Sequence, residues 1–297
     1  MKPTIKIPAG MLENDDKFDN EFFNRFSLRH APEPIKLTDE VSKNYRFPSF
    51  YGDVTCAMSI CLCSYDRAVE LVQKNLGEKV FPVKMPKNRA IIAFSCYEYK
   101  EVMGIPPYNE IAVAIPVMVN AKFRPPLLPM VLKSFNHFGY YIADMPVTSH
   151  ENTLRGHNIW GLPKVTREII IDSSSDICTT TAMEEDGSPY LTVRVPKGGA
   201  PAEFDETGYL YSKFNGKVVR SKTAFKSTFN VTKNMDILFK KEITSDETWI
   251  TLGDGPSAEM LKDLNIEKKP FQFRYAEGMS SCFDLSDKNM PAWAQKL

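Results

Sequence analysis

The sequence predicts a mainly β protein, α+β in the broad sense, built as an antiparallel β-barrel or double-layer sheet with a few short flanking helices. Three observations carry that expectation. Apolar runs rich in β-branched and aromatic residues stand at 56–63 (CAMSICLC), 89–99 (RAIIAFSCYEY), 109–119 (NEIAVAIPVMV) and 138–147 (FGYYIADMPV). Shorter segments follow at 165–171, 177–183, 190–195, 217–220, 229–239 and 247–252, separated by turn residues such as Asp186-Gly187 and Asn215-Gly216. Only the stretches 66–76 and 257–264 carry helical features, so the crossover helices of a parallel sheet are not foreseen.

The first 45 residues are polar, with an acidic cluster at Glu13, Asp15 and Asp16 and with Pro32 and Pro34 interrupting regular structure. They are expected to form a surface arm (1–45) wrapped on one β-rich domain (46–297). In the helix expected at 66–76, Ala68, Val69, Leu71 and Val72 recur at helical spacing, Asp66 stands near the N-terminus and Gly77 ends the run. The second helix, at 257–264, is expected to start on a Ser257 cap with a glutamate in its first turn. A barrel of this kind has an interior suited to one small ligand.

Composition narrows the function classes. The chain has 297 residues, 43% hydrophobic and 25% charged, which suffices for a sizeable core. Lys plus Arg and Asp plus Glu both number 37, so no global field draws the chain to nucleic acid or an anionic membrane. No run approaches the roughly 20 apolar residues of a membrane span, and the first residues lack a signal-peptide core, which makes a cytoplasmic protein the expectation. Cysteines 56, 61, 63, 96, 178 and 282 lie mostly in strand-like runs, and no histidine stands near the Cys61-Leu62-Cys63 pair at ligand spacing, so no metal is foreseen. Dinucleotide fingerprints, P-loops, HExxH and GxSxG are missing as well.

The chemistry points to Lys164, in the run Gly156-His157-Asn158-Ile159-Trp160-Gly161-Leu162-Pro163-Lys164. A lysine after proline, among Ile159, Trp160, Leu162 and Val165, stands in an unusually apolar place for a hydrated ammonium. Burial favours the neutral amine, and a neutral amine attacks carbonyls. The alternative is a strand-initiating lysine whose stem packs on Trp160 and whose ammonium stays in water.

The run resembles the active-site lysine segment of the acetoacetate decarboxylase family, with Gly156, Gly161, Pro163 and Lys164 at matching spacing. PPYNEIAVAIPV at 106–117 resembles the family's strand that brings a glutamate to the lysine, which nominates Glu110. WITLGDGPSAEMLKDLNI at 249–266 resembles its late strand and short helix, so the similarity spans about 46–285. The resemblance implies a cone-shaped β-barrel, an imine between Lys164 and a β-keto acid, proton transfer by Glu110, decarboxylation through an enamine, and a homo-oligomer. No organic cofactor is implied, because the iminium is itself the electron sink.

Three positions depart from the family pattern. Val165 stands where the family has a second lysine, and acetoacetate decarboxylase is a standard example of a lysine activated by desolvation or a cationic neighbour; activation here is expected from burial alone. Thr55 stands where the family's arginine faces the substrate carboxylate. Ser95 stands in place of an acidic residue, with Glu98 near enough to replace it; Ser95 shares a strand face with Tyr97, whereas Glu98 shares the other face with Cys96. Arg155 and His157, together with Arg124 and His150, are candidate replacements for the arginine, and Trp160 and Leu162 are candidate pocket walls. Three functions remain in view: a Schiff-base decarboxylase of a small or medium β-keto acid, an imine-dependent aldolase or dehydratase on keto acids, and a barrel that binds a carbonyl compound without turnover.

Overall fold

A computed structural model describes residues 15–132, 135–240 and 248–287. The arm carries four two-residue strands, β1 (Arg29–His30), β2 (Ile35–Lys36), β3 (Ser42–Lys43) and β4 (Arg46–Phe47). The main strands are β5 (Ser49–Ser64), β6 (Val80–Pro82), β7 (Arg89–Val102), β8 (Tyr108–Val119), β9 (Phe138–Val147), β10 (Lys164–Thr166), β14 (Ala200–Phe214), β15 (Lys217–Lys233) and β17 (Gln272–Ser286). They form a nine-stranded sheet in the order β10-β9-β14-β15-β17-β5-β7-β8-β6, and an added β9–β8 pairing closes seven of them into a barrel. Closure leaves only the short strands β6 and β10, each paired on one side, at the edges of this sheet.

The barrel and the short helices agree with the sequence reading. Its pairings are mixed, however: β14 and β10 both run parallel to β9, at Leu210↔Tyr140 and Lys164↔Met145. A smaller antiparallel sheet, β11 (Ile169–Asp172), β12 (Ile177–Met183), β13 (Pro189–Pro196) and β16 (Ile250–Leu252), packs beside the barrel. Helices α1 (Tyr65–Leu76), α2 (His150–Arg155) and α3 (Pro256–Asp263) complete the regular structure. The Ser64 side chain caps α1 by accepting from Arg67 N. The cap foreseen at Ser257 does not form: its N and Oγ both donate to Glu184, and Gly255 stands at the cap position.

Alternation gives the wall of β5, β7 and β8 a core on each face. Ala57, Cys61, Cys96, Ile111, Val113 and Ile115 face α1, α3 and the small sheet. Val54, Cys56, Tyr99, Tyr108, Ala112 and Ala114 face a second core that includes Tyr45 and Phe47 of the arm and its junction, and Trp160. The arm is thus more than a polar wrap. Phe18, Phe22 and Phe23 are buried against Phe50, with ring centroids 4.7 Å apart for Phe23 and Phe50, each such pair adding about 0.5–1.5 kcal/mol beyond area burial. Residues 1–14, including Glu13 of the acidic cluster, lie outside the described residues, as does Glu247 of the segment foreseen at 247–252. No described helix is long and apolar enough to cross a membrane. All six cysteines are buried and free of disulfides, and burial pushes the Cys61, Cys63 and Cys96 thiols up to about 12, which leaves them as inert small hydrophobes.

Candidate active site

Lys164 reaches the second core by an uncommon local path. Ser149 caps α2 by accepting from Asn152 N, and the helix then widens into a π turn over Gly156–Trp160. Such π turns are rare and occur often at functional positions. Gly161, at φ +63°, ends the turn in the left-handed region; a Cβ there would lie 2.3 Å from Lys213 O, so a side chain is excluded. Gly156 has a different reason: its missing Cβ would stand 2.6 Å from Cδ and 2.7 Å from Cγ of Lys164. The lysine stem occupies the space that any other residue would fill.

The backbone after the turn is held from several sides. Ser212 Oγ donates to Trp160 O at 2.5 Å, and Trp160 Nε1 donates to Asp284 O at 2.8 Å. His157 Nε2 lies 2.7 Å from Lys164 O. His157 is exposed, so its ring fixes the lysine backbone from outside and does not enter the interior, contrary to the substrate-contact expectation.

Inside, Lys164 Nζ donates to Glu110 Oε2 at 2.6 Å, and the two residues are 4% and 2% exposed. Glu110 comes from β8, where it sits opposite Tyr97 of β7 and Val147 of β9. Tyr99 OH donates to the other carboxylate oxygen, Oε1, at 3.3 Å. Tyr99 also stacks on Tyr97 and packs against Tyr51 and Tyr108, with centroids 4.8–5.3 Å apart. Burial raises Tyr97, Tyr99 and Tyr108 well above the ordinary phenol range, so all three remain proton donors. The only sequence signal for this cluster is the alternation Tyr97-Glu98-Tyr99 next to Tyr108, which the sequence reading did not use.

Burial is the main cause that lowers the Lys164 pKa; the attraction of Glu110 opposes it, and the nearby positive charge of Arg155 adds to the lowering. Val165 is 39% exposed and contributes little to that burial. Burial is thus the leading cause, as the sequence reading expects, and Arg155 adds a smaller lowering that the reading did not include. Arg155 is fully buried, donates from Nη2 to Ser49 Oγ at 2.8 Å, and stacks 4.5 Å from the Tyr45 centroid and 5.7 Å from that of Trp160. Beside it, Lys43 and Tyr45 converge on Glu151 at 2.6 and 2.5 Å.

The other foreseen residues divide by strand face. Ser95 is buried on the face shared with Tyr97 and Glu110, whereas Glu98 lies opposite Asn109 on the other face, with a 42% exposed side chain 4.0 Å from Lys100. Glu98 therefore cannot supply the acidic group next to Glu110. Thr55 pairs with Glu98 and shares its face; on β5 the residues facing Glu110's side are Val54 and Cys56, so no arginine enters from that strand. Arg124 is exposed and stacks on Phe81 at 3.4 Å, and His150 Nδ1 lies 3.4 Å from Thr166 Oγ1. Trp160 and Leu162 are buried in the same core as Tyr99 and Tyr108. A surface groove of about 1280 Å³ runs between the arm and the β14–β15 hairpin past Asn158 and Ile159, and Lys164 and Glu110 do not line it.

Solved structures with this fold include an acetoacetate decarboxylase at 14% identity and TM-score 0.51, covering 81% of this chain and 88% of the other. The acetoacetate decarboxylase of Legionella pneumophila matches at 14% identity and TM-score 0.51, over 95% of this chain and 97% of the other. The enduracididine biosynthesis enzyme MppR, in complex with pyruvate, matches at 10% identity and TM-score 0.52, over 80% and 90%. No curated protein sequence matches the chain. Residues 33–280 match the acetoacetate decarboxylase family, which takes in the arm's end, the barrel, Glu110 and Lys164, and the chain belongs to that family.

Proposed function

We propose that this acetoacetate decarboxylase-like enzyme is a Schiff-base lyase in which Lys164 condenses with a small or medium β-keto acid. The observation that carries the reading is the buried contact of 2.6 Å between Lys164 Nζ and Glu110 Oε2. It gives one ammonium a single route for its proton. Transfer from Nζ to Glu110 frees the amine, which attacks the keto carbon. The resulting carbinolamine loses its hydroxyl as water by taking the proton back from Glu110, which leaves a protonated imine and a carboxylate. The bond to the departing carboxyl carbon then breaks, its electron pair enters the enamine, and carbon dioxide leaves. Protonation of the enamine carbon and hydrolysis release the product and restore Lys164.

Trp160, Leu162 and Ser95 form walls around the bound acid in this reading. The iminium serves as the electron sink, so no organic cofactor is required. A cytoplasmic homo-oligomer, assembled through the arm of residues 1–45, completes the proposal. Borohydride treatment in the presence of acetoacetate is expected to fix a mass adduct on Lys164, with carbon dioxide released in its absence. No adduct, together with wild-type turnover by Lys164→Ala, would sink the reading. A second reading, imine chemistry without loss of carbon dioxide, draws support from the fold shared with MppR, which was solved with pyruvate; adduct formation without gas across β-keto acids would favour it.

A further inference from the structure

Arg155 is a buried charge with unmet donors. Its side chain is fully buried, yet Nε and Nη1 have no hydrogen-bond partner, and it forms no ion pair among the described residues. Three residues earlier on α2, Asn152 is also fully buried, and neither Oδ1 nor Nδ2 has a partner. Residues spaced by three lie on one helix face. That face therefore holds a guanidinium bonded only through Nη2, to Ser49, and an amide with no partner. Orphaned buried groups cost about 1–3 kcal/mol each, and more when charged.

Charge balance points the same way. Lys164 is paired with Glu110, and Lys43 with Glu151, while Arg155, like Arg274 of β17 opposite Met58 of β5, has no carboxylate partner among the described residues; of the two, Arg155 is the fully buried one and the one whose charge acts on Lys164. Its field reaches Lys164, Tyr51 and Tyr108, the groups gathered around Glu110. A monoanion with two acceptor oxygens matches the terminal fork of the guanidinium, where Nη1 is unpartnered and Nη2 has a second N–H beyond the one given to Ser49.

Chemistry decides which carboxylate this is. A carboxylate that leaves as carbon dioxide loses its charge in the transition state, so strong charge-assisted bonds to it hold the ground state and slow the reaction. An arginine is useful on a carboxylate that stays. Resting on the imine chemistry proposed above, we propose that Arg155, with Asn152 beside it, anchors a carboxylate that remains attached throughout, so that the substrate of the decarboxylation is a β-keto diacid. One carboxylate is held by Arg155. The other departs from the iminium as carbon dioxide, its bonding pair passing into the enamine, and the product keeps the anchor.

The test compares borohydride trapping on Lys164 with acetoacetate, which has one carboxylate, and 3-oxoglutarate, which has two. Wild-type protein is expected to reach half-maximal labelling at a concentration at least tenfold lower for the diacid. In Arg155→Met that ratio should fall to within twofold of one, and in Asn152→Ala it should shrink partway. A second readout separates anchor from scaffold: Arg155→Met should melt no lower than wild type, because it removes an unpaired buried charge. Equal half-maximal concentrations in the wild type, or a tenfold preference that survives in Arg155→Met, would overturn the anchor while leaving the imine intact. If Arg155→Met fails to fold, Arg155→Lys, which keeps the charge and loses the fork, must cut the ratio at least threefold or the anchor falls. No adduct from either acid removes the imine reading and the anchor with it.

Discussion

Replacing Glu110 by glutamine keeps the shape of the side chain and removes the charge that holds the Lys164 proton in the interior. Both side chains are nearly inaccessible, 5% for the lysine and 3% for the glutamate. Burial already lowers the Lys164 pKa from 10.5, Arg155 pushes the same way, and Glu110 is the group that opposes them. In the variant the folded chain is therefore expected to hold Lys164 neutral at pH 7, where the unfolded chain still binds the proton. Neutralising an ordinary lysine at pH 7 spans 10.5 − 7, about 3.5 units, or about 5 kcal/mol at 1.36 per unit. Breaking a buried ion pair from one side costs about 3–5 kcal/mol by mutational experience. Both routes give a loss of about 3–5 kcal/mol at pH 7. The sign with pH follows from proton counting: the unfolded state binds more protons than the folded one up to 10.5, so the stability of the variant rises with pH in that window. The deprotonation cost should shrink to about 2 kcal/mol at pH 9. Urea unfolding of both proteins at pH 7, 8 and 9 measures this. An equal deficit at all three pH values, or a variant as stable as wild type at pH 7, would refute the idea that Glu110 holds Lys164 charged.

Other positions give independent checks. Gly156→Ala places a Cβ against Cγ and Cδ of Lys164, so the rate of borohydride trapping should fall tenfold or more while the circular dichroism spectrum is retained; an unchanged rate would show that the stem has other room. Tyr99→Phe removes a hydrogen bond of 3.3 Å to Glu110, and stability should change by no more than about 1 kcal/mol while the pH profile of trapping shifts. Asp144, half-buried and accepting from Tyr190, has its pKa raised by desolvation from 3.8 to about 6. Its protonated form favours the folded state, so the stability it lends is complete below 3.8 and is lost as pH rises through about 6. That loss amounts to about 3 kcal/mol for about two units. Asp144→Asn should flatten this part of the profile in urea unfolding between pH 4 and 8, and a profile parallel to wild type would contradict the assignment.

Legibility in the sequence followed burial. The strands at 56–63, 89–99, 109–119 and 138–147 are readable because one or both faces are apolar along β5, β7, β8 and β9. Two barrel strands are not. β14 reads APAEFDETGYLYSKF, with exposed or half-buried residues along most of its length, and Pro201 and Gly208 look like breaks. β17 contains Gly278 at φ +66°, where its register to β5 shifts between Ala276 and Met279; the glycine marks a bulge inside a strand and not its end. β15 reads as two pieces, 217–220 and 229–239, because the polar stretch between them pairs with neighbours on both sides without a hydrophobic signature, and the second piece overruns the strand's end at Lys233 into a 3-10 turn at Met235–Leu238. The parallel partners of β9 have no local signal at all, since parallel pairing joins distant segments whose side chains look alike in either direction.

The site shows the same divide between what is adjacent in sequence and what is adjacent in space. Lys164 and Glu110 are 54 residues apart and are legible only because each sits in a recognisable segment. Val165 follows the lysine in the chain and so looks like its neighbour, but successive strand residues point to opposite faces, and the residue after a buried strand lysine faces outward. The same alternation excludes Thr55 and Glu98 and admits Tyr97 and Tyr99. A helix has the opposite geometry. Arg155 lies nine positions before Lys164, yet the π turn folds the chain back until Gly156 touches the lysine stem, and this brings the arginine's charge to bear on the amine. A cation that looks remote in sequence can thus take over the electrostatic part of a neighbouring lysine, and its unpaired nitrogens leave it free to meet an anion as well. Those two roles are linked: a carboxylate bound to Arg155 would cancel the charge that helps to lower the Lys164 pKa, so the amine would be most reactive before the anchor fills and the iminium better tolerated afterwards.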